Sequence, residues 1–264
     1  MKLPFIEYPF TLLTPAMIGG AEGKAAPAEM RVASIRGQVR WWHRKAGLVP
    51  NCNQVWGQTE PAVVASKVSL TLAPTTPPSH REVDILPHKQ SGFRDSILPL
   101  HKQSLILRRL VGCQQGEWEA AQKAVKLWLL LGGLGLRVNR AAGSVWPVGD
   151  WVPTDEASLK TTLTQLGYTQ PVSLADASIL EHKNLATDVS HAKKLRHAAS
   201  DTVSVPRYFG SIKPRTPSPL KMKVIRLGAN HRLLLTGLSL AAMAAARTAL
   251  GTSKPLGSAA WHTL

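Results

Sequence analysis

Three arginines recur at every fourth position of one short stretch. Arg36, Arg40 and Arg44 share one side of any helix formed there, and no acidic residue occurs between Glu29 and Glu60 to neutralise them. A guanidinium group binds phosphate oxygens through two parallel hydrogen bonds and keeps its charge at physiological pH. The spacing therefore predicts a row of side chains that binds a phosphate backbone.

The same stretch has the pattern of an amphipathic helix, which we predict over residues 34–46. The apolar residues of its buried face are Ile35, Val39, Trp42 and Ala46. Ser34 is suited to cap the first turn with its hydroxyl, and Gly47 is suited to end the helix in a left-handed conformation. Trp41 lies off the apolar face, where its ring can stack on an unpaired base.

A glycine-rich stretch, LGGLGLRVNRAAG at residues 131–143, follows the second predicted helix. It lacks the Gly-Lys-Ser/Thr ending of a P-loop, and it follows a helix, whereas a dinucleotide-binding fingerprint follows a strand. Its glycines permit the close approach of another backbone, and Arg137 and Arg140 supply donors for phosphate. The alternative is a flexible connection with two solvated arginines.

The composition points to a polyanionic partner. The 264 residues carry a formal net charge of +16, and the sequence pI is about 10.3. Nucleic acid is the commonest such partner, and an anionic membrane surface is the alternative. The N-terminus lacks the apolar core of a signal peptide, and no apolar run reaches the roughly 18 residues of a membrane span.

The cysteine count argues against a disulfide scaffold and a zinc site. Cys52 and Cys113 are the only cysteines, and neither forms a CxxC motif or pairs with histidines at zinc-finger spacing. We expect free thiols in a reducing, cytoplasmic compartment, with no metal and no small-molecule cofactor.

The C-terminal quarter of the chain is basic throughout. After Asp201 no acidic residue occurs, whereas a solvated surface normally mixes both signs. The basic residues here are Arg207, Lys213, Arg215, Lys221, Lys223, Arg226, Arg232, Arg247 and Lys254. We expect this tail, residues 202–264, to lie against RNA or an acidic neighbouring subunit.

Periodicity in residues 1–150 predicts the order β-α-β-β-α-β. The predicted strands span residues 5–13, 66–73, 105–111 and 142–148, and the predicted helices span residues 34–46 and 117–131. This is the order of a ferredoxin-like or RRM-like α+β domain.

Residues 74–103, between the second and third predicted strands, form an insertion too long for a hairpin turn. They contain a near-duplication, ILPHKQS at residues 85–91 and ILPLHKQS at residues 97–104. The two copies can pair as the arms of a projecting hairpin. The alternative is a proline-rich surface loop with chance similarity.

Residues 151–264 are expected to form only a partial second unit, a degenerate α+β half-domain on the first. The predicted elements are a helix at 155–166, strands at 220–227 and 232–236, and a helix at 239–250. The chain is too short for a complete second RRM-like unit beside the insertion.

Several motifs resemble those of a known family. The runs TPAMIGGAEGK, RVASIRGQVRWWHRKAG, NQVWGQ and SKVSL resemble the RAMP superfamily of CRISPR type III effector subunits, and look most like the end-capping backbone subunit of the Cmr (type III-B) complex. The resemblance covers most of residues 1–150. It implies a ferredoxin-like fold, a glycine-rich loop apposed to RNA, and an insertion similar to the thumb that presses on the guide–target duplex. The implied partners are guide RNA (crRNA), target RNA and other effector subunits.

We therefore predict that basic side chains of one helix and two glycine-containing loops converge along one RNA groove. The RNA-binding candidates are Lys24, Arg31, Ser34, Arg36, Arg40, Trp41, His43, Arg44, Lys67, Arg137, Asn139 and Arg140. The candidates in the thumb-like insertion are His88, Lys89, Phe93, Arg94, His101 and Lys102.

We predict no catalytic residue. RAMP subunits that cut target RNA present an aspartate from the loop after the first strand, and the corresponding residues 14–33 contain only Glu22 and Glu29. Glu22 is the remaining candidate for orienting a metal-bound water, and a solvated loop charge is its alternative role. None of the nine histidines has a recognisable partner for acid–base cleavage.

Three hypotheses follow. The first is a non-catalytic RNA-binding subunit of a type III CRISPR antiviral ribonucleoprotein. The second is a RAMP endoribonuclease that processes guide RNA or cleaves target RNA. The third is a general basic RNA-binding protein with an RRM-like fold, which would purify without CRISPR partners.

Overall fold

The computed structural model describes residues 3–19, 28–84, 93–176, 211–212, 215–216, 218–251 and 260–264. Along the chain these form β1 (Phe5–Leu12), α1 (Val32–Lys45), α2 (Cys52–Trp56), β2 (Val68–Leu72), β3 (His80–Asp84), β4 (Phe93–Ile97), β5 (Lys102–Arg109), α3 (Gln115–Leu131), β6 (Val145–Pro147), α4 (Glu156–Gln165), β7 (Val172–Asp176), β8 (Ser211–Ile212), β9 (Arg215–Thr216), β10 (Lys221–Leu227), β11 (Asn230–Thr236), α5 (Leu240–Gly251) and β12 (Ala260–Thr263). Helices and antiparallel sheets in one chain confirm the predicted α+β class. In the described ranges no helix is long and apolar enough to cross a bilayer.

The first sheet has the strand order β2-β5-β1-β6, and each neighbouring pair is antiparallel. Alternation along β1 gives the sheet two faces, because Tyr8, Phe10 and Leu12 are buried and Glu7 is exposed. α3 covers the buried face, where the ring of Trp128 meets the ring of Phe10 edge-on at 5.8 Å. The predicted strands and helices of this unit are confirmed to within a few residues.

The second half of the chain forms its own four-stranded antiparallel sheet, in the order β10-β11-β7-β12. If the four strands of each sheet are ranked by their position in the sequence, both sheets have the spatial order second, third, first, fourth. Where the sequence predicted a partial unit, the structure therefore has a second sheet as wide as the first. One hydrophobic core runs through both units, from Phe10 of β1 to Leu250 of α5.

The N-terminal end of α1 differs from the prediction, and the C-terminal end agrees with it. The predicted cap at Ser34 is wrong: Arg31 occupies the N-cap position and makes no side-chain cap bond, and Ser34 already lies inside the first turn. Gly47 ends the helix as predicted, with φ +63°. The Leu48 N–H donates to the His43 carbonyl at 3.2 Å, which is the long bond of a Schellman motif.

The insertion contains a two-stranded hairpin, but its arms are not the predicted ones. β3 pairs with β4 from His80 opposite Ile97 to Asp84 opposite Phe93. The second copy of the duplicated motif instead leads into β5, and the first copy lies outside the described residues. The hairpin base is joined to the first loop by reciprocal backbone bonds between Ala16 and Ile97, at 2.9 and 3.0 Å.

Two glycines permit close backbone contacts around the glycine-rich stretch: Gly135 lies against residues 14–19, and Gly143 lies against Leu134 of the stretch itself. Gly135 has φ +80° and Gly143 has φ +63°. A Cβ atom on Gly135 would overlap the Met17 carbonyl oxygen, and one on Gly143 would overlap the Leu134 carbonyl oxygen. Only glycine satisfies both the backbone angle and the distance at these positions.

We expect Gly143→Ala to lower the free energy of unfolding by about 2 kcal/mol or more, because the left-handed backbone and the overlap both oppose a side chain. Urea denaturation followed by tryptophan fluorescence measures this. Gly37→Ala is the matched control: it lies inside α1 with no atom within 4 Å of the added Cβ, and should stabilise by about 0.5–1 kcal/mol. Equal urea midpoints for the two variants would contradict the close packing.

Candidate nucleic-acid interface

A groove runs between the first two turns of α1 and the two glycine-containing loops, and we call it the loop groove. Its volume is about 360 Å³. It is lined by Met17, Ile18, Gly19, Arg31, Ala33, Ser34, Gly37, Gln38, Gly133, Leu134, Gly135 and Leu136. Arg31 is exposed and is the charged residue of this lining.

Buried hydrogen bonds fix the two loops that form this groove. The Leu136 N–H donates to the Met17 carbonyl at 2.8 Å. The hydroxyl of Thr14 donates to the Ala141 carbonyl at 2.6 Å and accepts from the Ser144 N–H at 2.9 Å. Because these bonds occupy the polar atoms between the loops, the groove walls are held in place without a ligand.

Arg36 and Arg40 lie in a second groove on the other side of α1, which we call the arginine groove. It is open and has a volume of about 660 Å³. It is lined by Arg36, Arg40, Asn53, Trp56, Gly57, Gln58, Thr59, Glu60, Val63, Val64 and Ser66.

The two arginines of this groove differ in their contacts. Arg36 Nη2 donates to the Trp56 carbonyl and, at 3.3 Å, to the Ser66 hydroxyl. Burial and the neighbouring Arg40 charge lower the pKa of Arg36. Arg40 Nη2 makes only a long 3.5 Å contact with Asn53 Oδ1. Arg36 therefore fastens α2 to α1, whereas the guanidinium of Arg40 keeps donors for a ligand.

The predicted single groove is wrong, because α1 separates its members. Arg31 and Ser34 line the loop groove, while Arg36 and Arg40 line the arginine groove. Ser34 and Arg36 are two residues apart on a helix, so their side chains project roughly 200° apart. The structure brings the two glycine-containing loops together, but it places the arginine row on the other flank.

The basic side chains of both grooves have no carboxylate partner in the described part of the chain. The ion pair found there is between His80 Nδ1 and Asp95 Oδ1, at 3.1 Å, in the hairpin of β3 and β4. Glu60 lines the arginine groove but forms no ion pair with Arg36 or Arg40. Within the described residues, the arginines of both grooves therefore form no ion pair.

His43 was a predicted RNA contact, and the structure corrects this. Its side chain is 1 % exposed. Nε2 donates to the Pro50 carbonyl at 2.8 Å, and Nδ1 accepts from Trp56 Nε1 at 3.1 Å. Both ring nitrogens are used inside the protein, so His43 holds the segment after α1 and cannot reach a ligand. Burial lowers its pKa, with a further contribution from Arg44.

The glycine-rich stretch meets the second unit at a basic joint that the sequence did not predict. Lys221 of β10 donates to Asn139 Oδ1 at 2.8 Å, and its Nζ lies 4.7 Å from the ring centroid of Trp41. Lys221 therefore covers one face of the predicted stacking ring, and Trp41 also makes a T-shaped contact with Trp42 at 4.8 Å. Trp41 and Asn139 had been recognised separately, but no pattern in the sequence connects them with Lys221.

The other RNA-binding candidates lie at scattered places. Arg137 is exposed with φ +61°, and burial together with Arg137 lowers the pKa of Arg140. Arg44 is exposed and donates to Cys52 Sγ at 3.4 Å. Lys67 is half-buried just before β2. Their contacts with RNA remain predictions.

Part of the predicted set is not described. Glu22, Lys24, His88 and Lys89 lie outside the described residues. Phe93 and Arg94 are placed on β4, and Lys102 begins β5 directly after the half-buried His101. Within the described ranges, no group of three or more His, Cys, Asp or Glu side chains could hold a metal ion.

Comparisons with known proteins identify relatives by structure alone. No family model and no curated protein matches the sequence. Apo Cmr1 from Pyrococcus furiosus is similar, with a TM-score of 0.63 and 16% identity over 90% of this chain and 88% of that one. A chain of the type III-B Cmr-beta complex bound to cognate target RNA has a TM-score of 0.52 and 10% identity, over 90% and 94%.

A second structure of that complex, bound to cognate target RNA and AMPPnP in the presence of ssDNA, contains a chain with a TM-score of 0.56 and 11% identity, over 89% of this chain and 94% of that one. The alignments span both units, so the two-sheet fold as a whole is shared. The resemblance to Cmr subunits drawn from the sequence motifs is confirmed at the level of the fold.

The buried His43 predicts a pH dependence of stability. Its folded pKa lies below the usual 6.5, so unfolding takes up a proton once the pH falls below about 6.5. The contribution of His43 to stability is complete above that pH and is lost as the pH falls toward the folded pKa. Urea midpoints measured between pH 8 and pH 5 should fall.

The same series on His43→Gln separates this histidine from the others. The variant should be less stable at every pH, but its midpoint should fall less steeply below about pH 6.5 because the titrating ring is gone. His101 and His231, whose pKa values are also lowered by burial, account for the remaining slope. Parallel curves for the two proteins would contradict the buried neutral state.

Proposed function

We propose that this protein is a non-catalytic, RNA-binding backbone subunit of a type III CRISPR antiviral ribonucleoprotein, working in the cytoplasm of a prokaryote. One observation carries the proposal: a fold shared with Cmr subunits has basic side chains on both sides of one helix that pair with no carboxylate among the residues the structure describes. Its partners would be guide RNA, target RNA and the other effector subunits.

Electrostatics favours a phosphate backbone as the ligand. Uncompensated cations next to partly buried grooves raise the free energy of the empty protein, and a polyanion removes that cost. The net charge of +16 makes this attraction long-ranged at low salt. Two of the similar chains belong to complexes described as bound to cognate target RNA, which fits the same ligand.

The protein would bind RNA through its backbone and leave the bases to pair with a second strand. Nucleotide-reading sheets stack bases on exposed aromatic residues of their two central strands. Of the central strands here, β5 carries no aromatic residue, and β1 buries Tyr8 and Phe10 and exposes only Phe5. The donors at the grooves, Arg31 and Arg40, are phosphate-binding side chains. Sequence specificity would then come from guide–target pairing, as in other guided effectors.

We also infer that each unit is ferredoxin-like, with a first unit at residues 1–150 and a second at residues 151–264. The first sheet supports this, since its order β2-β5-β1-β6 with antiparallel neighbours has α1 and α3 in the connections expected of a β-α-β-β-α-β chain. The hairpin of β3 and β4 would act as the thumb.

Salt dependence tests the phosphate contacts. Binding of single-stranded RNA to the full chain, followed by fluorescence anisotropy, should weaken steeply as salt rises. Arg31→Ala and Arg40→Ala should each lower the affinity and reduce the logarithmic salt slope by about one. Lys123→Ala on the exposed side of α3 is the matched control and should bind like wild type. A flat salt dependence of the wild-type protein would refute the proposal.

The absence of catalysis is tested separately. The purified chain, incubated with guide-paired RNA and with repeat RNA, should leave both intact with and without Mg²⁺. Cleavage that is lost in Glu22→Ala would instead establish the endoribonuclease alternative, with Glu22 orienting a metal-bound water. Metal-independent cleavage at a 2′-hydroxyl would point to guide processing.

A further inference from the structure

We propose that Lys45 of α1 and Lys221 of β10 form a second phosphate-binding site, across the joint between the two units, which takes one phosphodiester of the bound RNA. This inference rests on the proposed function, because it names a further subsite for the same ligand. Neither lysine was among the sequence-derived candidates for a specific RNA contact.

The geometry holds the Lys221 ammonium group in place. Its Nζ donates to Asn139 Oδ1 at 2.8 Å and lies 4.7 Å from the centroid of the Trp41 ring. Asn139 Nδ2 in turn contacts the Ser218 carbonyl at 3.5 Å. An ammonium group has three donors, so the bond to Asn139 leaves others for an anion.

A second positive charge acts on Lys221. Burial and the Lys45 charge lower the pKa of Lys221 to about 8, which still leaves it protonated at neutral pH. The glycine-rich stretch also brings Arg140 beside β10, where its backbone forms a bridge to Met222. No carboxylate forms an ion pair with Lys45 or Lys221 in the described part of the chain.

The loop groove leads to this site along α1. Ser34 and Gln38 line that groove, and Trp41 and Lys45 follow at spacings of three and four, on the same side of the helix. Lys45 lies roughly 16 Å along the helix axis from Ser34. An RNA strand that follows α1 out of the loop groove therefore arrives at Lys45 and Lys221.

Repulsion between the two lysines disfavours the free protein, and a phosphate between them removes it. Removing Lys45 should therefore weaken RNA binding without lowering stability. Removing a side chain that makes structural contacts usually lowers the stability of the protein as well. Measuring RNA affinity and stability together therefore distinguishes a binding site from a structural contact.

The experiment uses the full chain with Lys45→Met, Lys221→Met and the double variant. Lys160→Met, on the exposed side of α4, is the matched loss of one charge. Affinity for a labelled single-stranded RNA of mixed sequence is measured over a salt series, and the melting temperature is measured without RNA. Each single variant should bind several-fold more weakly than Lys160→Met, with a salt slope smaller by about one.

The double variant tests whether both lysines share one phosphate. Its fold-loss in affinity should be smaller than the product of the two single losses, because the second lysine then has no shared ligand. Lys45→Met should melt at or above the wild-type temperature. Lysine variants that bind RNA like Lys160→Met, a fully multiplicative double loss, or a lower melting temperature of Lys45→Met would each overturn the site.

Failure of the site and failure of the proposed function give different results. If Arg31→Ala weakens RNA binding while the two lysine variants match Lys160→Met, RNA binding stands and the joint site is wrong. If the wild-type protein shows no salt-dependent binding of RNA, both the proposed function and the joint site are wrong.

Discussion

The close contact between two backbones positions the loop groove and the joint between the two units. Residues 14–19 and the glycine-rich stretch meet backbone to backbone at Gly135, which has no Cβ and adopts a left-handed angle. This contact sets one wall of the loop groove against α1. Gly143 permits the stretch to fold back against its own Leu134. The glycine-rich stretch then connects α3 to β6 and places Asn139 beside the second unit.

The joint between the units depends on a lysine that has been removed from water. Lys223 is 2 % exposed, and its Nζ donates to the Leu129 carbonyl of α3 at 2.6 Å and lies 5.9 Å from the Trp146 ring. Burial disfavours the charged form and lowers the pKa of Lys223 well below its usual range. A buried polar group of this kind stabilises only one alignment of the two units, since any other would leave it unpaired.

The sequence predicted those features that depend on local pattern. The spacing of Ile35, Val39 and Trp42 predicted α1 and its buried face, and periodicity predicted the elements of the first sheet. It also predicted β10 and β11 of the second sheet. It did not predict β7 and β12, because these strands are only five and four residues long and pair with strands far away in the sequence. The pairing of strands that lie far apart in the sequence produces no periodic pattern in the residues of either strand.

The candidate interface was predicted in its chemistry but not in its arrangement. The lack of acidic residues around the arginines is visible in the sequence, and in the described ranges the arginines of both grooves form no ion pair. The different roles of Arg36, Arg40 and His43 are not visible, because they depend on contacts with α2 and the segment that follows it. A basic stripe on a helix therefore combines two kinds of side chain. Those that bind carbonyls hold the fold together, and those left without partners provide the attraction for a polyanion.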